Sequence, residues 1–239
     1  MLTALLSPLL ALQAVQTRRR MPVLPEALGP REGVLGRGAP EWRILIVGDS
    51  SAAGVGVSHQ HQAFAGHFTR ALHRRGARRV RWWLRARSGL TTAQVHDWLQ
   101  AEPAPAADVV LVLTGVNDLI DRIRVRRALN HRRALAEWLL AEGRAGAVVF
   151  APLPPVEQFA ILPQPLRHVM GVQARRHNAA IARWVDPQRG VYFTPLPMQL
   201  SAAGMATDGF HPGEPVYRSV GQALALFVAT DVLTSQTLP

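Results

Sequence analysis

The chain has 239 residues, of which 48% are hydrophobic and 18% charged. That is enough apolar side chain for one α/β domain, and too much for a disordered chain, which cannot bury enough surface to offset its ordering entropy. The formal net charge is +11 and there is no Cys, which excludes disulfides, thiolate metal sites and thiol nucleophiles.

Every basic residue is Arg, spread through Arg74–Arg87, Arg122–Arg133 and Arg167–Arg183. No RNA-recognition, zinc-finger or helix-turn-helix signature stands beside them, so they read as solvated helix faces and no nucleic-acid partner is expected.

Met1–Gln16 is apolar, is interrupted by Pro8 and is followed by Arg18, Arg19 and Arg20. A secretory signal carries its charge before the apolar run, and a spanning helix needs roughly 20 residues. The segment is therefore expected to be an amphipathic helix, either docked on the domain or lying on a membrane surface, the second alternative bringing peripheral membrane contact through residues 1–20. This favours a cytoplasmic or peripherally membrane-associated protein over a secreted one. Residues 21–40 are rich in Pro and Gly and read as a linker. The expected organisation is an N-terminal segment and linker at 1–40 and one domain at 41–239.

Within the domain, short apolar runs at Trp42–Val47, Val80–Leu84, Val109–Leu113, Ala147–Phe150 and Val191–Phe193 fit buried strands. Between them Gln62–Arg75, Thr92–Gln100, Val125–Ala141 and Leu166–Val185 have helical spacing, and Pro215–Val232 follows the last strand. Strand and helix alternation predicts a three-layer α/β/α sandwich, flavodoxin-like, with about five parallel strands flanked by helices. Ligands of such sheets bind beyond the carboxyl ends of the strands, so the residues following each strand are the informative ones.

Gly48-Asp49-Ser50-Ser51-Ala52-Ala53-Gly54 follows the first strand. Ser50 would project from a strand-to-helix turn as a nucleophile, although Asp and Ser are also ordinary helix caps. Gly115-Val116-Asn117-Asp118 follows the third strand, where an Asn amide can donate to a developing oxyanion or simply close an Asx turn. Asp208-Gly209-Phe210-His211-Pro212 precedes the last helix, and a carboxylate beside a His fixes its tautomer and stabilises the imidazolium. His59, His61, His67 and His73 lack a completing carboxylate at metal-ligand spacing and read as surface residues; no metal and no organic cofactor is expected.

Together these three fragments, in this order, resemble the SGNH (GDSL-like) hydrolase superfamily over most of Arg43–Ala229, with Gly89 in Arg87-Ser88-Gly89-Leu90 matching the family's second block. The resemblance implies a serine esterase in which Ser50 attacks the acyl carbonyl, His211 takes its proton and Asp208 orients His211. It also implies an oxyanion hole made of the Ser50 N–H, the Gly89 N–H and the Asn117 amide. Asp49 is expected to support the nucleophile turn by bonding local backbone. Departures lie in the Ser50-Ser51-Ala52-Ala53-Gly54-Val55-Gly56 stretch after Asp49 and beyond His211-Pro212, where Gly213 stands for an Asn and Val216 for a Gly before Tyr217.

The stretch Ala151–Gly171 carries five prolines with Leu153, Val156, Phe159, Ile161, Leu162 and Leu166, and either walls a substrate pocket or packs on the core. The candidate substrate-binding residues are Asp49, Val116, Phe159 and Phe210. If the wall reading holds, the substrate is a small-molecule ester with a short to medium acyl or an aryl group. Three function classes follow: an esterase, an acyltransferase or deacetylase using the same triad on a carbohydrate or lipid acceptor, and a non-enzymatic anion- or membrane-binding module.

Overall fold

The computed structural model describes residues 7–39, 41–76, 79–141 and 144–236. Its elements in chain order begin with α1 (Ser7–Arg20), β1 (Glu32–Gly36), β2 (Glu41–Gly48), α2 (Ser50–Ala53), α3 (Phe64–Arg74) and β3 (Arg79–Ala86). The middle of the chain supplies α4 (Thr92–Ala101), β4 (Ala107–Leu113), α5 (Val116–Ile120), α6 (Val125–Leu140) and β5 (Ala145–Phe150). The last part forms α7 (Leu166–Trp184), β6 (Val191–Phe193), α8 (Glu214–Phe227) and α9 (Leu233–Gln236), with a π-helical turn at Val228–Val232 between the last two.

The sheet has six strands in the order β1-β3-β2-β4-β5-β6, and the five from β2 to β6 are parallel. Their side chains alternate between two faces, as a pleated strand requires. Ile44 and Ile46 face α3 and α8 with Phe64, Phe68, Leu72 and Leu224. Leu45 and Val47 face α4, α6 and α7 with Val95, Leu99, Leu135 and Ile181. Because both faces are covered, these strands read as continuous apolar runs in the sequence.

The chain winds outward from β2 to β3 on one side and to β4 on the other. The crevice at this reversal, beyond the carboxyl ends of β2 and β4, is where α/β sheets bind ligands. Gly48-Asp49-Ser50 and Gly115-Val116-Asn117 leave those two strands side by side. A Cβ at Gly48 would overlap the Leu113 carbonyl oxygen, to which the Asp49 N–H donates at 3.1 Å, so only Gly lets the two strand ends close together.

The segment expected to be a linker is instead part of the domain. Its residues Glu32–Gly36 form β1, an antiparallel edge strand on β3 with Leu35 opposite Val80. Ala27 is buried, and the backbone of Leu28 bonds to Ser58 and Gln60. With only Val34 and Leu35 as apolar residues between glycines, this strand has no hydrophobic run of its own. It is held by the exposed edge of β3, which no local pattern announces.

The expected amphipathic helix at the N-terminus is also corrected in one respect. In α1 polarity is graded along the helix rather than around it, with Leu10 buried against the domain, Leu9, Leu12 and Val15 outward, and Arg18–Arg20 in the last turn. No helix among the described residues is long and apolar enough to cross a membrane.

Candidate active site

Ser50 opens α2, directly after β2. Asp49 caps that helix: its Oδ1 accepts from the Ser51 N–H at 3.0 Å and from the Ser51 hydroxyl at 2.8 Å. Ser51 is thereby turned back onto its own cap, while Ser50 faces the crevice. Of the first N–H groups of this helix, that of Ser51 is taken by the Asp49 carboxylate and that of Ala53 by the Asp49 carbonyl.

From the far end of the chain, the loop before α8 brings His211 to the same place. Its Nε2 lies 3.0 Å from Ser50 Oγ, and its Nδ1 lies 2.5 Å from Asp208 Oδ2. The other Asp208 oxygen accepts from the N–H groups of Phe210 and His211, both at 2.9 Å. Burial alone would raise the Asp208 carboxyl, but the hydrogen bonds from His211 and from these two backbone N–H groups outweigh it and hold the acid below its ordinary value. An ionised Asp208 accepts from Nδ1–H, leaving Nε2 bare to take a proton from Ser50. Tyr217 secures the loop from behind: its buried hydroxyl donates to the Val55 carbonyl at 2.7 Å.

Asn117, in α5, donates from Nδ2 to the Leu90 carbonyl at 3.0 Å and lies 3.5 Å from Asp49 Oδ2. This ties the turn after β4 to the turn after β3. Gly89 sits at the exposed tip of the latter, with no neighbouring atom where a side chain would stand. The expected linker contributes here, because Glu26 accepts from the N–H and hydroxyl of Ser88 at 2.7 and 2.8 Å.

Beneath Asn117 lies a polar network that sequence reasoning missed. Asp118 is wholly buried and accepts from the Thr92 N–H at 3.0 Å and the Thr92 hydroxyl at 2.7 Å, while Arg132 Nη2 stands 3.3 Å away. Arg132 is 1% exposed, so it is not one of the solvated arginines its run was read as. The signal was its helical phase: with Ala128, Leu135, Ala136 and Leu139 it occupies the buried face of α6. Gly115, at φ +127°, makes room for it, since a Cβ there would collide with Arg132 Nη2. His177 on α7 completes the cluster, and burial, reinforced by the Arg132 charge, lowers its pKa to about 4, so it is neutral near pH 7.

Beside Ser50 and His211 is an apolar cavity of about 100 Å³. Asp49, Val116, Phe159 and Phe210 all line it, with Leu153, Met198, Leu200 and Val216. Phe159 meets Phe210 edge-to-face at 5.2 Å, and Phe210 in turn lies edge-on to His211 at 5.3 Å. In the Pro-rich stretch Leu153 and Phe159 line the cavity, while Val156, Leu162 and Leu166 are buried behind them. Val216, in place of a Gly, lines the cavity and lies close to Gly204.

Among the described residues no three His, Asp or Glu side chains gather as a metal ion would require. His59 and His61 pair with each other, and His67 faces Glu214 at 3.5 Å.

A family model described as GDSL-like lipase/acylhydrolase matches residues 46–218. The chain belongs to that family. It is a carboxylic ester hydrolase. A GDSL-like esterase of Mycobacterium tuberculosis is similar at 27% identity over 252 aligned positions, covering 95% of this chain and 78% of that protein. Solved structures share the fold, and two serve as examples. A family 3 carbohydrate esterase of Clostridium thermocellum has a TM-score of 0.64 at 18% identity and covers 83% of this chain and 100% of that one. A lipase from a goat rumen metagenome has a TM-score of 0.62 at 18% identity, covering 79% and 97% respectively.

Proposed function

We propose that this GDSL-like hydrolase cleaves esters of short to medium acyl or aryl groups through an acyl-enzyme intermediate on Ser50. The observation that carries this reading is the unbroken line from Asp208 through His211 to Ser50, ending at an apolar cavity.

In the first half-reaction Ser50 Oγ attacks the acyl carbonyl carbon as His211 Nε2 takes its proton, and the imidazolium is stabilised by Asp208. In this reading the oxyanion is held by the Ser50 N–H, the Asn117 amide and the Gly89 N–H, with the amide turning from the Leu90 carbonyl toward the substrate. His211 then protonates the departing alcohol, leaving Ser50 acylated. Water enters, His211 removes its proton, and collapse of the second tetrahedral species returns the carboxylic acid and free Ser50.

Substrate size follows from the cavity. At about 100 Å³ it is well below the roughly 300–1,000 Å³ of sites that enclose drug-sized ligands, so it accommodates a short acyl chain or a single ring rather than a long fatty chain. Its lining of Val, Leu, Met and Phe side chains favours apolar acyl groups over sugars.

A fluorophosphonate probe should label wild-type protein at Ser50 and fail on Ser50→Ala, and a p-nitrophenyl ester panel should peak at short to medium chains. Acetate release from acetylated sugar with no turnover of any p-nitrophenyl ester would refute the substrate reading. Diversion of the acyl group to added alcohols in preference to water would identify a transferase instead.

A further inference from the structure

We propose that the outward face of α1 docks the protein on an anionic lipid surface. The inward side of this helix is committed to the domain: Leu10 is buried in the cluster that holds Leu153 and Phe159, and Gln13 donates to the Gln164 carbonyl at 2.7 Å and accepts from the Leu166 N–H at 3.1 Å. These contacts fix which side faces out. On that side Leu9, Leu12 and Val15 are 42%, 55% and 49% exposed, and Val23, just beyond the helix, is 98% exposed.

No charged residue stands between Ser7 and Thr17, so the outward face lacks the charged side chains that a solvated helix presents, with the neutral Gln16 as the exposed polar side chain beside Leu12 and Val15. The last turn then carries Arg18, Arg19 and Arg20, all exposed. One cation suffices to complement a helix carboxyl end, whereas three next to an apolar face match a surface that is both apolar and negatively charged.

The described part of the helix, Ser7–Arg20, is about 21 Å long at 1.5 Å per residue, and Leu10 and Gln13 hold it along the domain, so docking through its outward face is peripheral. A second copy of the chain is the poorer occupant, because it would bring another net charge of +11 against the first. Docking here would set the lipid surface on the outer side of the Leu153–Phe159 wall of the acyl cavity. It concerns binding alone and stands whether or not Ser50 turns over an ester.

The test is flotation of the full chain with vesicles of phosphatidylcholine alone or of an equimolar mixture with phosphatidylglycerol. Binding to the mixed vesicles only is expected. The double variant Leu12→Glu/Val15→Glu, at exposed positions that leave the docked side untouched, should weaken it by at least about tenfold. Arg18→Gln/Arg19→Gln/Arg20→Gln should weaken it by roughly a hundredfold, about fivefold per arginine. Unchanged circular dichroism and fluorophosphonate labelling would confirm that both variants are folded. Failure of wild-type protein to float, or equal flotation of the Leu12→Glu/Val15→Glu variant, would overturn the proposal. So would a concentration-dependent dimer that this variant dissociates.

Discussion

Replacing Asp49 with Asn removes a buried ionisable group while keeping an oxygen to accept from the Ser51 N–H and hydroxyl. Burial is the largest influence on this carboxyl and raises its pKa from 3.8 to about 6; the hydrogen bonds from Ser51 and the His211 charge oppose it, and Asp118 adds to it. A rise of about two units at 1.36 kcal/mol each amounts to about 3 kcal/mol. The folded-state value is the higher one, so the native protein holds the proton more tightly than the unfolded chain. The contribution is therefore fully present below the unfolded value and is lost as pH rises through about 6. Urea denaturation of both proteins between about pH 4 and pH 8 follows this group together with its coupling to His211 and Asp118, because the titrations of groups that do not sense Asp49 cancel in the difference. Wild type should lose about 2 kcal/mol relative to Asp49→Asn across that range, the remainder being lost already below pH 4. A flat difference, or one that favours wild type at high pH, would show that Ser51 and Asn117 hold Asp49 ionised and would refute the reasoning.

Three further outcomes are expected. Asn117→Ala should lower kcat by roughly a hundredfold to a thousandfold with little change in KM, as steady-state kinetics on a p-nitrophenyl ester would register. Arg132→Met leaves the buried Asp118 without its counter-charge and should destabilise the fold by about 3–5 kcal/mol, whereas Arg132→Met/Asp118→Asn should recover part of that in denaturant melts. Phe159→Ala removes a buried ring from the cavity wall and from its edge contact with Phe210, so it should cost about 3–5 kcal/mol of stability and shift the chain-length preference toward longer esters.

Much of this protein is legible along the chain. Residues such as Ile44–Val47, Val109–Leu113 and Val148–Phe150 are apolar on both faces of their strands, so the five parallel strands and the helices between them announce themselves. The candidate site is legible for a related reason: Ser50, Asn117 and His211 each follow a strand or precede a helix in short fragments rich in Gly and Asp, whose chemistry depends on local turns. The structure decided what depends on partners distant in sequence. β1 exists because β3 offers it an open edge, and Glu26 steadies the Ser88–Gly89 turn across the fold. Arg132 reads along the chain as one more solvated arginine, yet the fold buries it beside Asp118. A side chain's own periodicity and turn chemistry travel with the sequence, whereas burial, counter-charge and edge pairing exist only once remote segments have met.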